Sequence, residues 1–479
     1  PAFGETAQER KDLLYQGGLT IITTLDAREQ TIADTEVKAG IPVDDPEGVA
    51  SAISVVEPGT GRITAMAQNR IYSTSLTAEG RATSVNYNTD KAYGGSGGFA
   101  PGSTFKPFTL AQWLKDGHSL NEIVNGTAMQ YPFSAFNAPC TTLSNEVFKF
   151  GNAEASRSGV MSVLNATQNS VNSAYIAMAA QLNLCDIIDT ASSLGIHKAT
   201  GEPFGVLPAN IIGSDSVAPL TMAAAFAAFA AKGLYCEPIA ITSVTKADGT
   251  AVDVPSANCE QRLEERIANA VNYGLSNVWK GTAKSVGDPG FTSAGKTGTT
   301  SRNEMTWFVG YTPLRAAAVW VGFSEGFIPV QNMYVNGTWV KYMYGSTVAA
   351  PTWKRFMTQA MEGQAVPAFG EVGTNELNGV QIQVPDVVGK SPEDATAVLK
   401  NSGFNVTVAP DAVPSGQAAG SVATQSISGK ATKGSFVTLT LSNGQPPAPD
   451  PAQQTAVNPN PGGGNGGGGG NNGQGGGGN

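Results

Sequence analysis

The sequence predicts an α+β domain followed by a small α/β module and a disordered tail, on three observations. Strand-like runs near 50–67 and 292–323 flank a long stretch of helical period, an order that places N- and C-terminal strands in one sheet. One helix pattern and a few strand-like runs then recur within about 60 residues after Val384, near the lower size limit for a stable core. From Gln445 onward Pro gives way to Gly and Asn with almost nothing apolar, so burial cannot offset the entropy of ordering the chain.

In chain order, a polar helical opening leads into the β-branched run Leu19 to Leu25 and a second helical stretch from Ala27 to Lys38; together 1–49 read as a connector. The main domain is expected over 50–362. Ser51 to Val56 and Arg62 to Ala67, joined by Pro58-Gly59-Thr-Gly61, read as a hairpin. Between about Phe105 and Lys232 the period is mainly helical, with Ala-rich segments around Ala174 to Leu184 and Pro219 to Lys232. Thr292 to Thr300, Met305 to Thr312 and Ala316 to Phe323 have strand length and composition. The polar, Gly-containing stretch at 363–382 reads as a linker.

The module is expected over 383–444. Ser391-Pro392-Glu393-Asp394 is a helix start, with Ser as N-cap, Pro at the first helical position and acids at the positive end. Ala395, Val398 and Leu399 supply its buried stripe and Gly403 its C-terminal stop. Strands are predicted at Asn405 to Ala409, Ser421 to Ser426 and Ser435 to Ser442, before the tail at 445–479.

Composition narrows the function. Of 479 residues 41% are hydrophobic and 14% charged, enough to bury large cores, and a net charge of −9 without any basic run argues against a nucleic-acid partner. The longest small-apolar stretch, Met222 to Ala231, is far short of the roughly 20 residues that cross a bilayer. Pro1 to Gln16 have no signal-peptide pattern, and a start at Pro1 reads as a fragment whose membrane anchor lies upstream. Four cysteines without a C-x-x-C pair and only two histidines predict neither metal nor cofactor. Cys236 and Cys259 bracket a predicted hairpin around Asp248-Gly249; a disulfide clamping its base and four buried free thiols both remain open.

The residues that carry chemistry begin with Pro101-Gly-Ser103-Thr-Phe-Lys106-Pro107. Ser and Lys three apart at a helix start face the same way. A serine hydroxyl is a weak nucleophile until a base takes its proton, and a desolvated lysine can be that base. Ser-x-x-Lys alone occurs in many helices. Here Ser170-Val171-Asn172 follows between helical runs, and Lys296-Thr297-Gly298-Thr299 follows on a predicted strand. The ordered set Ser-x-x-Lys, Ser-x-Asn, Lys-Thr-Gly is that of active-site-serine penicillin-recognising enzymes.

The resemblance extends beyond the three motifs, over roughly Gly17 to Met361, and is close to bifunctional (class A) penicillin-binding proteins. Gly17-Gly-Leu-Thr-Ile-Ile-Thr-Thr-Leu-Asp26 resembles the connector after their glycosyltransferase domain, which is not in this sequence. Phe99 to Phe108, Ser293 to Thr300 and Ala349-Ala-Pro-Thr-Trp-Lys354 resemble their transpeptidase signatures. The resemblance implies a penicillin-binding/β-lactamase-like fold, an antiparallel sheet with a helical subdomain, and a D,D-transpeptidase of the cell envelope that β-lactams acylate. By the same resemblance Ser103 attacks the penultimate D-alanine carbonyl of a stem peptide. Lys106 takes its proton, with Lys296 lowering the Lys106 pKa. Ser170 relays a proton to the leaving amine, and Asn172 binds the donor amide. The N–H groups of Ser103 and Thr299 form the oxyanion hole, and the Thr297 and Thr299 hydroxyls, around Gly298, hold the terminal carboxylate. Implied partners are D-Ala-D-Ala donor and amine acceptor peptides, β-lactams and other wall-synthesis proteins. Val384-Pro-Asp-Val-Val-Gly389 and Val437 to Ser442 resemble a PASTA module, although Ile427 stands where that family often has Pro; wall binding and a spacer role both stay open.

Three rivals remain. Gly94-Gly-Ser96-Gly-Gly98 matches a G-x-S-x-G nucleophile elbow, but neither His118 nor His197 carries a triad signature, and a mobile glycine-rich loop is the favoured reading. The same fold can hand its acyl group to water, as a D,D-carboxypeptidase or β-lactamase-like hydrolase. A non-catalytic wall-binding scaffold is the third.

Overall fold

The computed structural model describes residues 3–75, 82–153 and 157–447, and its contacts divide into two units that meet between Val380 and Gln381. The larger unit is built on five antiparallel strands. Their order is Ala294–Thr299, Met305–Tyr311, Ala316–Gly322, Ala50–Val56 and Ile63–Gln68, so the early hairpin closes onto the late meander as the sequence predicts. Trp320 stands opposite Ala52 and Val319 opposite Ile53 at that junction.

Every residue of the three inner strands is buried, because each face of the sheet has its own core. Side chains alternate between faces. Trp307, Val309, Tyr311, Ala318 and Trp320 enter one core, beneath the Ala-rich helix Pro219–Ala230. Phe308, Ala317, Val319 and Val321 enter the other, against Ala27–Gly40 and Ala349–Ala360. Strands buried on both faces show no polar alternation, which is why they read as unbroken apolar runs.

The connector is part of this unit. Its run Thr20–Thr23 pairs with Ile241–Thr245, which pairs in turn with Ala251–Val252. Cys236 and Cys259 are bonded across the base of that hairpin, and Cys140 is bonded to Cys185, which overturns the four-thiol alternative.

Three expectations need correction. The stretch 105–232, expected to be mainly helical, also holds two strand pairs: Ile123–Gly126 with Gly159–Ser162, and Gln130–Pro132 with Val147–Lys149. The Ala-rich segment near Ala174 to Leu184 is two helices, Asn172–Ala179 and Leu184–Ser193, separated where Asn183 caps the Cys185 N–H at 3.0 Å. The linker at 363–382 is packed through 379. Phe369 meets the Tyr311 ring edge-on at 5.5 Å, Glu376 pairs with Arg266 at 2.8 Å, and the Leu120 and Asn121 N–H groups bond to the carbonyls of Glu376 and Leu377. Its few apolar residues, hidden in a polar average, find a core.

In the smaller unit Ser391 caps Pro392–Asn401, accepting from the Asp394 N–H at 3.1 Å, and Gly403 leaves the helix at φ +90°. Phe436–Leu441 pairs in parallel with Asn405–Val408 and antiparallel with Val422–Gln425. A further pair, Gln381–Gln383 with Lys430–Thr432, is too short to carry a sequence signal. Val387, Leu399, Val422, Val437 and Leu439 fill the core. From 448 the tail expected to be disordered lies outside the described residues.

Candidate active site

The site begins at a tight crossing. Gly102 has φ +55°, and a Cβ there would sit 2.9 to 3.1 Å from the backbone of Thr299. A Cβ on Gly298 would lie 2.5 Å from the Pro101 carbonyl and 2.9 Å from the Thr104 methyl. Two glycines therefore let the turn Gly102–Phe105 lie directly against the edge strand Ala294–Thr299. Thr104 Oγ1 closes the turn on the Pro101 carbonyl at 2.8 Å, and Phe105 and Phe108 anchor the following helix, Lys106–Lys115, in the core. Ser103 keeps partial exposure while Thr104, Phe105 and Lys106 are buried.

Lys106 is completely buried, and its ammonium donates to the Ser170 carbonyl at 2.6 Å, to Asn172 Oδ1 at 2.6 Å and to Ser170 Oγ at 3.2 Å. Lys296, 1% exposed, donates to Ser170 Oγ at 2.6 Å and to the Thr297 carbonyl at 3.0 Å. Among the described residues neither ammonium pairs with a carboxylate. Burial without a counter-charge disfavours the cation. Desolvation, and secondarily the charge of Lys296, hold Lys106 well below the ordinary lysine range. Desolvation lowers Lys296 to about 7. Lys296 can therefore give or take a proton near neutral pH, and Lys106 holds its proton far more weakly than an exposed lysine does.

Ser170 joins the two. It lies between helices Val163–Gln168 and Asn172–Ala179 with φ +56°, a left-handed conformation rarely adopted by a residue with a side chain. That turn aims both its carbonyl and its hydroxyl inward; strain of this kind gathers at functional positions.

The sequence-predicted residues converge, with three differences in their bonding. The Ser103 hydroxyl makes no hydrogen bond among the described residues, so the direct Ser103–Lys106 bond implied by their spacing is not formed. Asn172 Nδ2, expected to face a donor amide, donates to the Gly151 carbonyl at 2.6 Å. Thr297 Oγ1 donates to Thr282 Oγ1 at 2.7 Å, and Thr299 Oγ1 donates to the Gly298 carbonyl at 2.8 Å and accepts from the Gly345 N–H at 3.2 Å. Thr282, Gly151 and Gly345 escaped the sequence reading. They touch the motifs only through the fold, and no spacing marks them.

The glycine-rich rival is excluded by geometry. His197 has both ring nitrogens engaged by oxygens, Asp90 Oδ2 at 2.9 Å and the Gly195 carbonyl at 2.7 Å, and the Asp90 bond raises its pKa. Neither nitrogen is turned to Ser96 as a base would be. The loop is also pinned rather than loose. Asn86 N–H bonds to the Gly94 carbonyl, Gly98 N–H to Ser96 Oγ, and Phe99 exchanges two backbone bonds with Val217.

The family model of the penicillin-binding protein transpeptidase domain matches residues 51–358, and that of the PASTA domain matches residues 382–443. Penicillin-binding protein 1A of Mycolicibacterium smegmatis is 28% identical over 374 residues, 74% of this chain and 42% of that protein. Penicillin-binding protein 1A/1B of Bacillus subtilis is 29% identical over 64% of this chain and 32% of its own length. The chain thus spans less than half the length of these curated relatives. The solved structure of PonA1 from Mycobacterium tuberculosis in complex with penicillin V superposes with a TM-score of 0.60 at 23% identity, covering 76% of this chain and 91% of that one. With three motifs meeting at two buried lysines and a family match over most of the larger unit, the chain belongs to the penicillin-binding protein transpeptidase family and carries a PASTA domain.

Proposed function

We propose that this chain cross-links peptidoglycan stem peptides as a serine D,D-transpeptidase and that β-lactams acylate the same serine. The observation that carries the reading is the meeting of Lys106 and Lys296 at Ser170, with Lys106 one helical turn from a partly exposed Ser103. Lys106, kept short of protons by burial, takes the Ser103 proton as Oγ bonds to the penultimate D-alanine carbonyl carbon. The N–H groups of Ser103 and Thr299 stabilise the oxyanion. The C–N bond to the terminal D-alanine breaks, and its nitrogen receives a proton through Ser170, whose hydroxyl already bridges both lysines. An acceptor amine then attacks the acyl carbon, and Ser103 recovers its proton. Asn172 binds the donor amide once its bond to Gly151 is exchanged. The two disulfides support an extracytoplasmic place in the cell envelope.

Fluorescent penicillin followed by peptide mapping tests this. The label is expected on Ser103 and absent from Ser103→Ala, with the variant still folded. A label on Ser96, or none, would refute it. Adding an amine acceptor and measuring the transferred share of product separates cross-linking from a carboxypeptidase reaction.

A further inference from the structure

Thr297 is only 6% exposed, and its hydroxyl is not free to meet a ligand as drawn by the motif alone: it donates to Thr282 Oγ1 at 2.7 Å. Thr282 lies fourteen positions before Lys296, in a loop with no motif of its own. That loop is firmly built. Trp279 Nε1 donates to Ser293 Oγ at 3.0 Å, Ala283 is buried, and the Thr282 N–H bonds to the Gln168 carbonyl at 3.2 Å. A Cβ on Gly281 would fall 1.9 Å from that same carbonyl, so glycine is what lets the loop press on the chain two residues before Ser170. Thr282 therefore ties the Lys-Thr-Gly strand to the Ser-x-Asn turn, and it keeps partial exposure.

From this geometry we infer that Thr282 is a positioning residue for the anionic end of the donor, acting through Thr297; the inference rests on the transpeptidase reading above. Each hydroxyl has one proton and two lone pairs. In the structure Thr297 gives its proton to Thr282. When a carboxylate enters, Thr297 turns its proton to the anion. Its buried oxygen then needs a donor, which Thr282 supplies with its own proton. The two hydroxyls form a chain, and chained hydrogen bonds polarise one another. Without the Thr282 oxygen, the Thr297 hydroxyl reaches the anion unpolarised and with one buried lone pair unmet.

The test compares second-order acylation by benzylpenicillin and by its methyl ester, the same lactam without the anion, in the wild type, Thr282→Val and Thr282→Ser. Thr282→Val keeps the shape of the side chain and removes the hydroxyl. It is expected to slow the acid about tenfold more than the ester, through weaker initial binding rather than a slower bond-forming step at saturation. Thr282→Ser should restore the acid-to-ester ratio. Equal slowing of both probes would mean that Thr282 only packs the loop, and no slowing that Thr297 acts without it; either overturns the inference alone. A wild type acylated by neither probe would remove the transpeptidase reading and the inference with it.

Discussion

At the scale of single residues, the cleft is defined by cations kept away from counter-charge. Lys106→Ala should slow acylation by at least the roughly 100-fold typical of a lost general base, measured as the second-order rate with a fluorescent penicillin. Lys106→Arg should not rescue it, because a guanidinium stays protonated at every relevant pH. A near-normal rate in either variant would mean that another group activates Ser103. The same burial has a stability signature. The lowered pKa of Lys296, about 7, lies below its unfolded value of about 10.4. Between those values the unfolded chain holds a proton that the folded one lacks, so this residue's contribution becomes more favourable as pH rises. Lys296→Met should therefore be more stable than wild type at pH 7, with the gap shrinking toward pH 10. A gap independent of pH would show that Lys296 does not titrate in this window.

At the scale of elements, the site depends on how closely a strand and a turn approach. Gly298→Ala would push a methyl carbon to 2.5 Å from the Pro101 carbonyl, moving the Lys-Thr-Gly strand off the serine turn. Acylation should fall by more than tenfold while circular dichroism changes little; an unchanged rate would show that the crossing can widen without loss. The hairpin Ile241–Thr245 and Ala251–Val252 is held differently, by Cys236–Cys259 closing a sequence separation of 23 residues. Cys236→Ser with Cys259→Ser is expected to lower unfolding stability by about 3 kcal/mol, the loop-closure entropy returned to the unfolded chain, measured by urea denaturation. These elements were legible because their signals are local: a turn pair between β-branched runs, a capped helix start, three strands of the right length. The short ribbon Gln130–Pro132 with Val147–Lys149 was not, because three-residue strands have no period to read and their partners come from across a loop.

At the scale of the whole chain, the boundary between the two units carries the prediction. A chain ending at Val380 should fold and be acylated by penicillin at the full rate, since all three motifs and the five-stranded sheet lie before it. One ending at Glu362 should be measurably less stable, because it loses the Phe369–Tyr311 contact and strands Arg266 without Glu376. Thermal midpoints and acylation rates of both chains decide. Equal midpoints would restore the linker reading of 363–382, and a lost rate in the longer chain would show that the PASTA domain contributes to the site.

What the sequence determined by itself was the motif set and the architecture. Ser103, Lys106, Ser170, Asn172 and Lys296 were singled out as candidates by ordered spacing, because side chains three apart at a helix start face the same way, and the strand-helix-strand order left one sheet to build. Only the tertiary structure decided what each group faces. Ser170 between two lysine nitrogens, the crossing at Gly102 and Gly298, the Gly151 carbonyl on Asn172 and the Thr282 hydroxyl behind Thr297 join residues from 15 to more than 190 positions apart. Sequence periodicity reports which face of its own element a residue occupies; it holds no record of which distant element will be packed against that face.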